Sequence, residues 1–201
     1  ISAAPENEKI TLSSSGDSWG GLYVYESSLE SKLKNMIISN TSSIKDGILD
    51  LTGGVTFYNA DVSMENVEFL NSMSEDMLNI VNSKYILNNI NMNRVLSDAI
   101  DFDFSEGSID NIKIFNVGGD ALDFSGSSST VSNANVFNVK DKAVSAGEES
   151  ILNIENSNFS NIGVGVVSKD GSQVSVFNTL FKDVTLSPAM TFIKKSFYEA
   201  P

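Results

Sequence analysis

The chain has 201 residues, of which 41% are hydrophobic, enough for one domain with a sizeable core. Its 26 acidic against 13 basic residues give a net charge of −13, so nucleic acid and anionic membrane repel it. Cysteine and histidine are absent. That excludes disulfides, His-based triads and imidazole bases, and leaves Ca²⁺ or Mg²⁺ as the metals its oxygen ligands suit.

No apolar run is long enough to cross a membrane, and no basic-then-apolar leader opens the chain. Ile1 is not an initiator, so the sequence reads as a mature or excised part of a longer protein. The segment from Gly16 to Val24 reads as a strand already inside a repeat array. Repeat arrays need polar capping coils, and none precedes it, so further coils or a partner domain are expected upstream.

From residue 33 onward one pattern recurs, apolar-x-Asn-x-x-apolar-x-Asn. It begins at Leu33, Asn35, Ile38 and Asn40, and returns at Met64, Leu87, Ile109, Val131, Ile154 and Val176. The first Asn of each copy falls at 35, 66, 89, 111, 133, 156 and 178. Arg94 and Asp183 replace the second Asn in two copies. The one long interval marks an insertion of about nine residues near Gly47–Asn59. A period near 22 suits a coil of three short strands and three turns. Asn tolerates left-handed backbone, and its amide can bond the copy in the next coil. Leucine-rich repeats are excluded by their missing consensus. The fold class is therefore all-β, a right-handed parallel β-helix with coils of about 22 residues, and residues 1–201 form a single domain because no linker divides them. Phe115, Phe137, Phe159 and Phe181 are expected to stack in the core, with Phe137 and Phe159 adjacent. The amides of Asn111, Asn133 and Asn156 are expected to be buried in equivalent turns.

In the same register lie three acidic columns. Asp76, Asp98, Asp120 and Lys142 form a corner column. If Ile100, Phe102 and Phe104 point inward, Ala99, Asp101 and Asp103 point outward. Asn79, Asp101, Asp123, Ser145 and Val167 then make a second column, and Val81, Asp103, Ser125, Gly147 and Lys169 a third. Coils stack about 4.8 Å apart, so these carboxylates repel one another and call for a raised pKa, a lysine or a cation. Four readings stay open: a solvated acidic face, a Ca²⁺ site at Asp98, Asp101, Asp120 and Asp123, a catalytic set of Asp101, Asp120, Asp123 and Lys142, or an electrostatic interaction with a partner. Lys142 is the nearest counter-charge, and Lys169 stands three coils from Asp103, too far to neutralise it.

The segments Gly118–Ser125, Asp141–Glu148 and Val167–Ser172 resemble blocks in a group of bacterial right-handed β-helix proteins of uncharacterised activity. Lys194 and Lys195 resemble that group's closing motif, and the resemblance spans residues 16–198. Some members occur beside CotH-kinase-like cell-surface domains. The wider pectate-lyase-like superfamily includes lyases, polygalacturonases, epimerases and phage tailspikes. Against polygalacturonases, Gly119–Ala121 matches only part of the Asp pair, and the His-Gly and Arg-x-Lys elements are missing. Against pectate lyases, Asp98, Asp101 and Asp123 with Lys142 or Lys169 match the calcium carboxylates and the base loosely. The resemblance implies no particular activity; the absent histidine and the lone arginine, Arg94, favour a secreted or cell-surface module that binds or displays on polysaccharide. Alternatives are a polysaccharide lyase or glycoside hydrolase using the Asp columns, and a structural spacer or adhesin stalk. Whether the chain is an enzyme stays open at this point.

Overall fold

The structure, a computed structural model, describes residues 8–46 and 49–201, leaving Ile1 and Gly47 outside the described residues. It is a parallel β-solenoid of about eight coils, with no helix among the described residues. Each coil carries three short strands. The coil from Asp98 shows the plan. Asp98–Asp103 is the first strand, and Glu106–Val117 supplies the other two by bending at Asn111, whose φ is 54°. The strands of successive coils pair in parallel, Ile100 with Leu122 and Ile109 with Val131.

The asparagines make the bends. The first Asn of all seven copies has φ between 45° and 55°, and the second-column residues, Arg94 and Asp183 included, have φ between 52° and 60°. A left-handed residue costs an ordinary side chain roughly 1–2 kcal/mol, and asparagine least among them. Their amides also form ladders. Asn66 donates to Asn35 at 2.7 Å, Asn111 to Asn89 at 3.2 Å and Asn138 to Asn116 at 2.6 Å. Asn133 leaves the ladder and donates to Asp110 instead. Contrary to expectation, Asn111, Asn133 and Asn156 are exposed. The chain turns outward at these bends, so the amides lie at the rim of the coil. Asn111→Leu is therefore expected to cost about 1 kcal/mol, through backbone strain rather than a stranded buried amide; urea unfolding measures it.

A second ladder runs inside the solenoid, where sequence reading had placed nothing. The backbone N–H of Ser83 donates to the hydroxyl of Ser105, Ser105 to Ser127, Ser127 to Ser150 and Ser150 to Ser172. All five serines are buried. Each hydroxyl satisfies an N–H that the turn takes out of the sheet ladder. The near-regular spacing of these serines was the available signal.

The core fills the bore with stacked apolar columns. Phe57, Ile80, Phe102 and Phe124 are in register and fully buried. Phe102 stacks on Phe124 at 4.6 Å and on Tyr85 at 4.5 Å. The expected phenylalanine stack is half correct. Phe159 is buried and meets Phe181 edge-on at 5.6 Å, but its partner in the preceding coil is Val136. Phe137 pairs with Phe115 on the outer face and is 44% exposed. The 23-residue step from Asn133 to Asn156 moves the phenylalanine by one place, and one place in a strand reverses the face.

The insertion is an antiparallel hairpin, Ile44–Asp46 with Leu49–Leu51. Trp19 pairs with Thr41, 22 residues on, but Leu22 pairs with Val55, 33 on. The extra residues thus enter between Thr41 and Val55, at the early edge of the expected span. A bulge between Ser27 and Ser31 brings the offset back to 31.

Candidate ligand-binding face

The three acidic columns come together on one face, formed by the first strand of each coil. Asp76 pairs with Asp98, Asn79 with Asp101, Asp101 with Asp123, Val81 with Asp103 and Asp103 with Ser125. Asp101 and Asp103 alternate with buried Ile100 and Phe102, as the period of two requires. Two neighbours do not follow it. Ala99 is buried at the corner rather than outward. Phe104 is 62% exposed at φ 50°. The strand ends at Asp103, and the turn rotates Phe104 out instead of letting it join the core.

The corner column is built into the backbone. Asp98 Oδ1 accepts the N–H of Asp120 at 2.8 Å, and Asp120 Oδ1 accepts the N–H of Lys142 at 2.9 Å. Lys142 Nζ lies 3.1 Å from Asp120 and 2.6 Å from Asp141. Burial pulls the Lys142 pKa down, but the Asp141 hydrogen bond and the Asp120 charge outweigh it and leave the ammonium more firmly protonated. A lysine so held is a poor proton acceptor. Burial lifts Asp120 to about 6, against the opposing pull of Lys142.

Asp101 is the most perturbed group on the face. Burial, then the charges of Asp103, Asp76, Asp123 and Asp98, push it up to about 9. Asp76 rises to about 7, again chiefly through burial, and Asp98 and Asp103 rise for the same first cause. Asn79 donates to Asp101 at 3.3 Å and to Asp103 at 3.5 Å. Among the described residues, Asp76, Asp101 and Asp103 make no ion pair.

Lys169 reaches further than its column position implies. Its stem lies over Gly147, where an added Cβ would meet it at 2.8 Å, and its Nζ comes within 4.0 Å of Asp123 Oδ1. The glycine opens the passage across one coil. Lys169 thereby serves Asp123 in the neighbouring column and leaves Asp103 unpaired.

The same columns continue toward the first coils as aromatic residues. Tyr23 and Thr56 extend the Asn79–Asp101–Asp123 line, and Tyr25 and Tyr58 extend the Val81–Asp103 line. Tyr25 and Tyr58 stack face to face at 4.7 Å, with rings 8° from parallel. They are 66% and 37% exposed. Beside them a recess of about 420 Å³ is bordered by Tyr23, Leu51, Thr56 and Asn79. The hairpin therefore supplies one wall of it through Leu51. Sequence reading missed this platform because the insertion sets the two tyrosines 33 residues apart, outside the 22-residue comb.

A calcium site asks for six to eight oxygens converging on one point. The carboxylates instead stand in rows, and among the described residues no three acidic side chains come together as one ion's ligand set. Unfolding midpoints with millimolar Ca²⁺ and with EDTA are expected to coincide. A rise in calcium would show a site that forms on binding.

No known protein family and no curated protein sequence matches the chain. Among solved structures, the chain is similar to a crystal structure of PfbA, a surface adhesin of Streptococcus pneumoniae. The likeness has 8% identity and a TM-score of 0.20 over 90% of this chain and 76% of that one. A second structure of the same pneumococcal surface protein gives 9% identity and a TM-score of 0.18, covering 92% and 81%. Likeness this low carries no argument about activity, and the repeat geometry alone places the chain among parallel β-solenoids.

Proposed function

We propose that the chain is a secreted or cell-surface β-helix module that binds polysaccharide along the tyrosine–carboxylate face, in keeping with its resemblance to surface β-helix proteins of the pectate-lyase-like kind. The stacked, exposed Tyr25–Tyr58 pair carries this reading. Aromatic rings in water cost free energy unless a ligand covers them, and sugar rings stack on such faces through their C–H edges. Beyond the rings, Asn79, Asp101 and Asp103 offer hydrogen-bonding groups at the coil spacing, along a line that an extended glycan can follow. A plain spacer or stalk has no use for an exposed aromatic pair beside a recess. Tyr58→Ala is expected to weaken binding to a bound glycan about tenfold, as for loss of one aromatic anchor. A glycan array followed by calorimetry on the best ligand measures it. An array with no ligand would leave the spacer as the function.

One observation favours a second reading, glycoside hydrolysis. Asp101, lifted to about 9, holds its proton at neutral pH beside other carboxylates, as a general acid must. Release of reducing ends, lost in Asp101→Asn, would establish it. Binding without release leaves the module non-catalytic.

A further inference from the structure

The charge on the face narrows the class of saccharide. Asp101 and Asp103 stand side by side along one strand, with Asp123 in the next coil and Asp76 and Asp98 at the corner. The three nearby lysines are already engaged, Lys142 with Asp120 and Asp141, Lys169 toward Asp123, and Lys195 with Glu148. One amide, that of Asn79, serves both Asp101 and Asp103. The centre of the face is thus anionic or proton-holding, and a uronate polymer would meet repulsion there.

Three buried oxygens along the same column make no hydrogen bond, one of them, Asp123 Oδ1, having only the Lys169 ammonium 4.0 Å away. Ser145 is fully buried next to Asp123, and its Oγ has no hydrogen-bond partner. Thr56, 8% exposed and next to Asn79, has an Oγ1 in the same state, as does Asp123 Oδ1. A third feature is Phe104. It follows Asp103 directly and takes a left-handed backbone that a bulky side chain adopts only at a cost. Its ring lies across Gly126, within 2.7 Å of where a Cβ there would be, and more than half of the residue faces solvent. Asn59 and Asn82 hold comparable left-handed bends in earlier coils without any ring.

A row of carboxylates with an exposed ring beside it suits an organic ammonium, attracted by both the charge and the ring face. It does not suit a hard metal ion, which the separate rows cannot enclose. Building on the saccharide reading above, we infer that the ligand is an amine-bearing glycan, a hexosamine polymer with free amino groups. An ammonium sits at Asp101 and Asp103, and a sugar ring covers Phe104. The ammonium favours the ionised form of Asp101, whose proton passes to solvent as the ion pair with Asp101 and Asp103 forms.

Calorimetric titration of the intact protein with length-matched oligomers of glucosamine, N-acetylglucosamine and galacturonate tests this. Glucosamine oligomers are expected to bind about tenfold tighter than acetylated ones, with uronates weakest. Asp103→Asn and Phe104→Asn should each remove most of that preference. Phe104→Asn places asparagine at a left-handed bend, so its melting temperature should hold or rise, separating lost binding from lost folding. Equal binding of acetylated and free-amine oligomers, weakened alike by Tyr58→Ala, would overturn the amine inference and leave the saccharide reading standing. A preference for uronates would overturn the inference too. Failure of every oligomer would overturn both.

Discussion

Phe102→Ala is expected to destabilise the protein by about 3–5 kcal/mol, measured by urea unfolding. The ring is fully buried at mid-solenoid and sandwiched between Phe124 and Tyr85 at 4.6 and 4.5 Å. Removing it leaves a cavity that two flat neighbours cannot collapse into without losing their own stacking. In a solenoid each coil rests on the next, so a hole in a central coil loosens both directions. Phe137→Ala is the matched comparison. Phe137 is 44% exposed on the outer face, and its loss should cost less than about 1 kcal/mol. Equal losses for the two would show that the inward and outward registers are wrongly assigned.

Asp101→Asn is expected to stabilise the protein in mild alkali, an unusual sign for the loss of an acidic residue. Burial and four neighbouring carboxylates raise Asp101 to about 9 in the folded chain, well above its unfolded value. A raised carboxyl contributes its stability below the unfolded pKa and loses it as pH rises through the folded one. Asp120 at about 6 and Asp76 at about 7 lose theirs earlier on the same rise. Wild-type stability should therefore fall from about pH 4 to about pH 9, with Asp101 contributing on the order of 2–4 kcal/mol after allowance for solvent screening. Asparagine has nearly the shape of the protonated acid and cannot ionise. The variant should match the wild type below about pH 4 and exceed it at pH 9. A variant weaker at both values, or a wild type that gains stability as pH rises, would show Asp101 to be ionised and satisfied.

The repeat was legible because the fold writes it directly. A left-handed bend recurs once per coil in each column, and asparagine is the residue that takes it, so Asn35 through Asn178 mark the coils. The clustering of Asp98, Asp101, Asp103, Asp120 and Asp123 followed from the same period. What escaped the sequence lay where the period breaks or where a side chain crosses between columns. The step of 23 put Phe159 in the core and left Phe137 outside. A turn after Asp103 turned Phe104 outward. Lys169 crossed to Asp123 through the space Gly147 leaves, which no column-by-column reading contains. The Tyr25–Tyr58 platform depended on an insertion whose length hid the pairing.

Backbone amide NMR during titration with the best-binding glycan tests most directly whether this face is the binding site. Shifts are expected to concentrate along one line, at Tyr25, Tyr58, Asn79, Asp101, Asp103 and Phe104, while the exposed ladder at Asn111, Asn133 and Asn156 stays still. Shifts confined to that ladder, or to the terminal coil around Phe177 and Phe192, would place the ligand elsewhere and contradict the assignment.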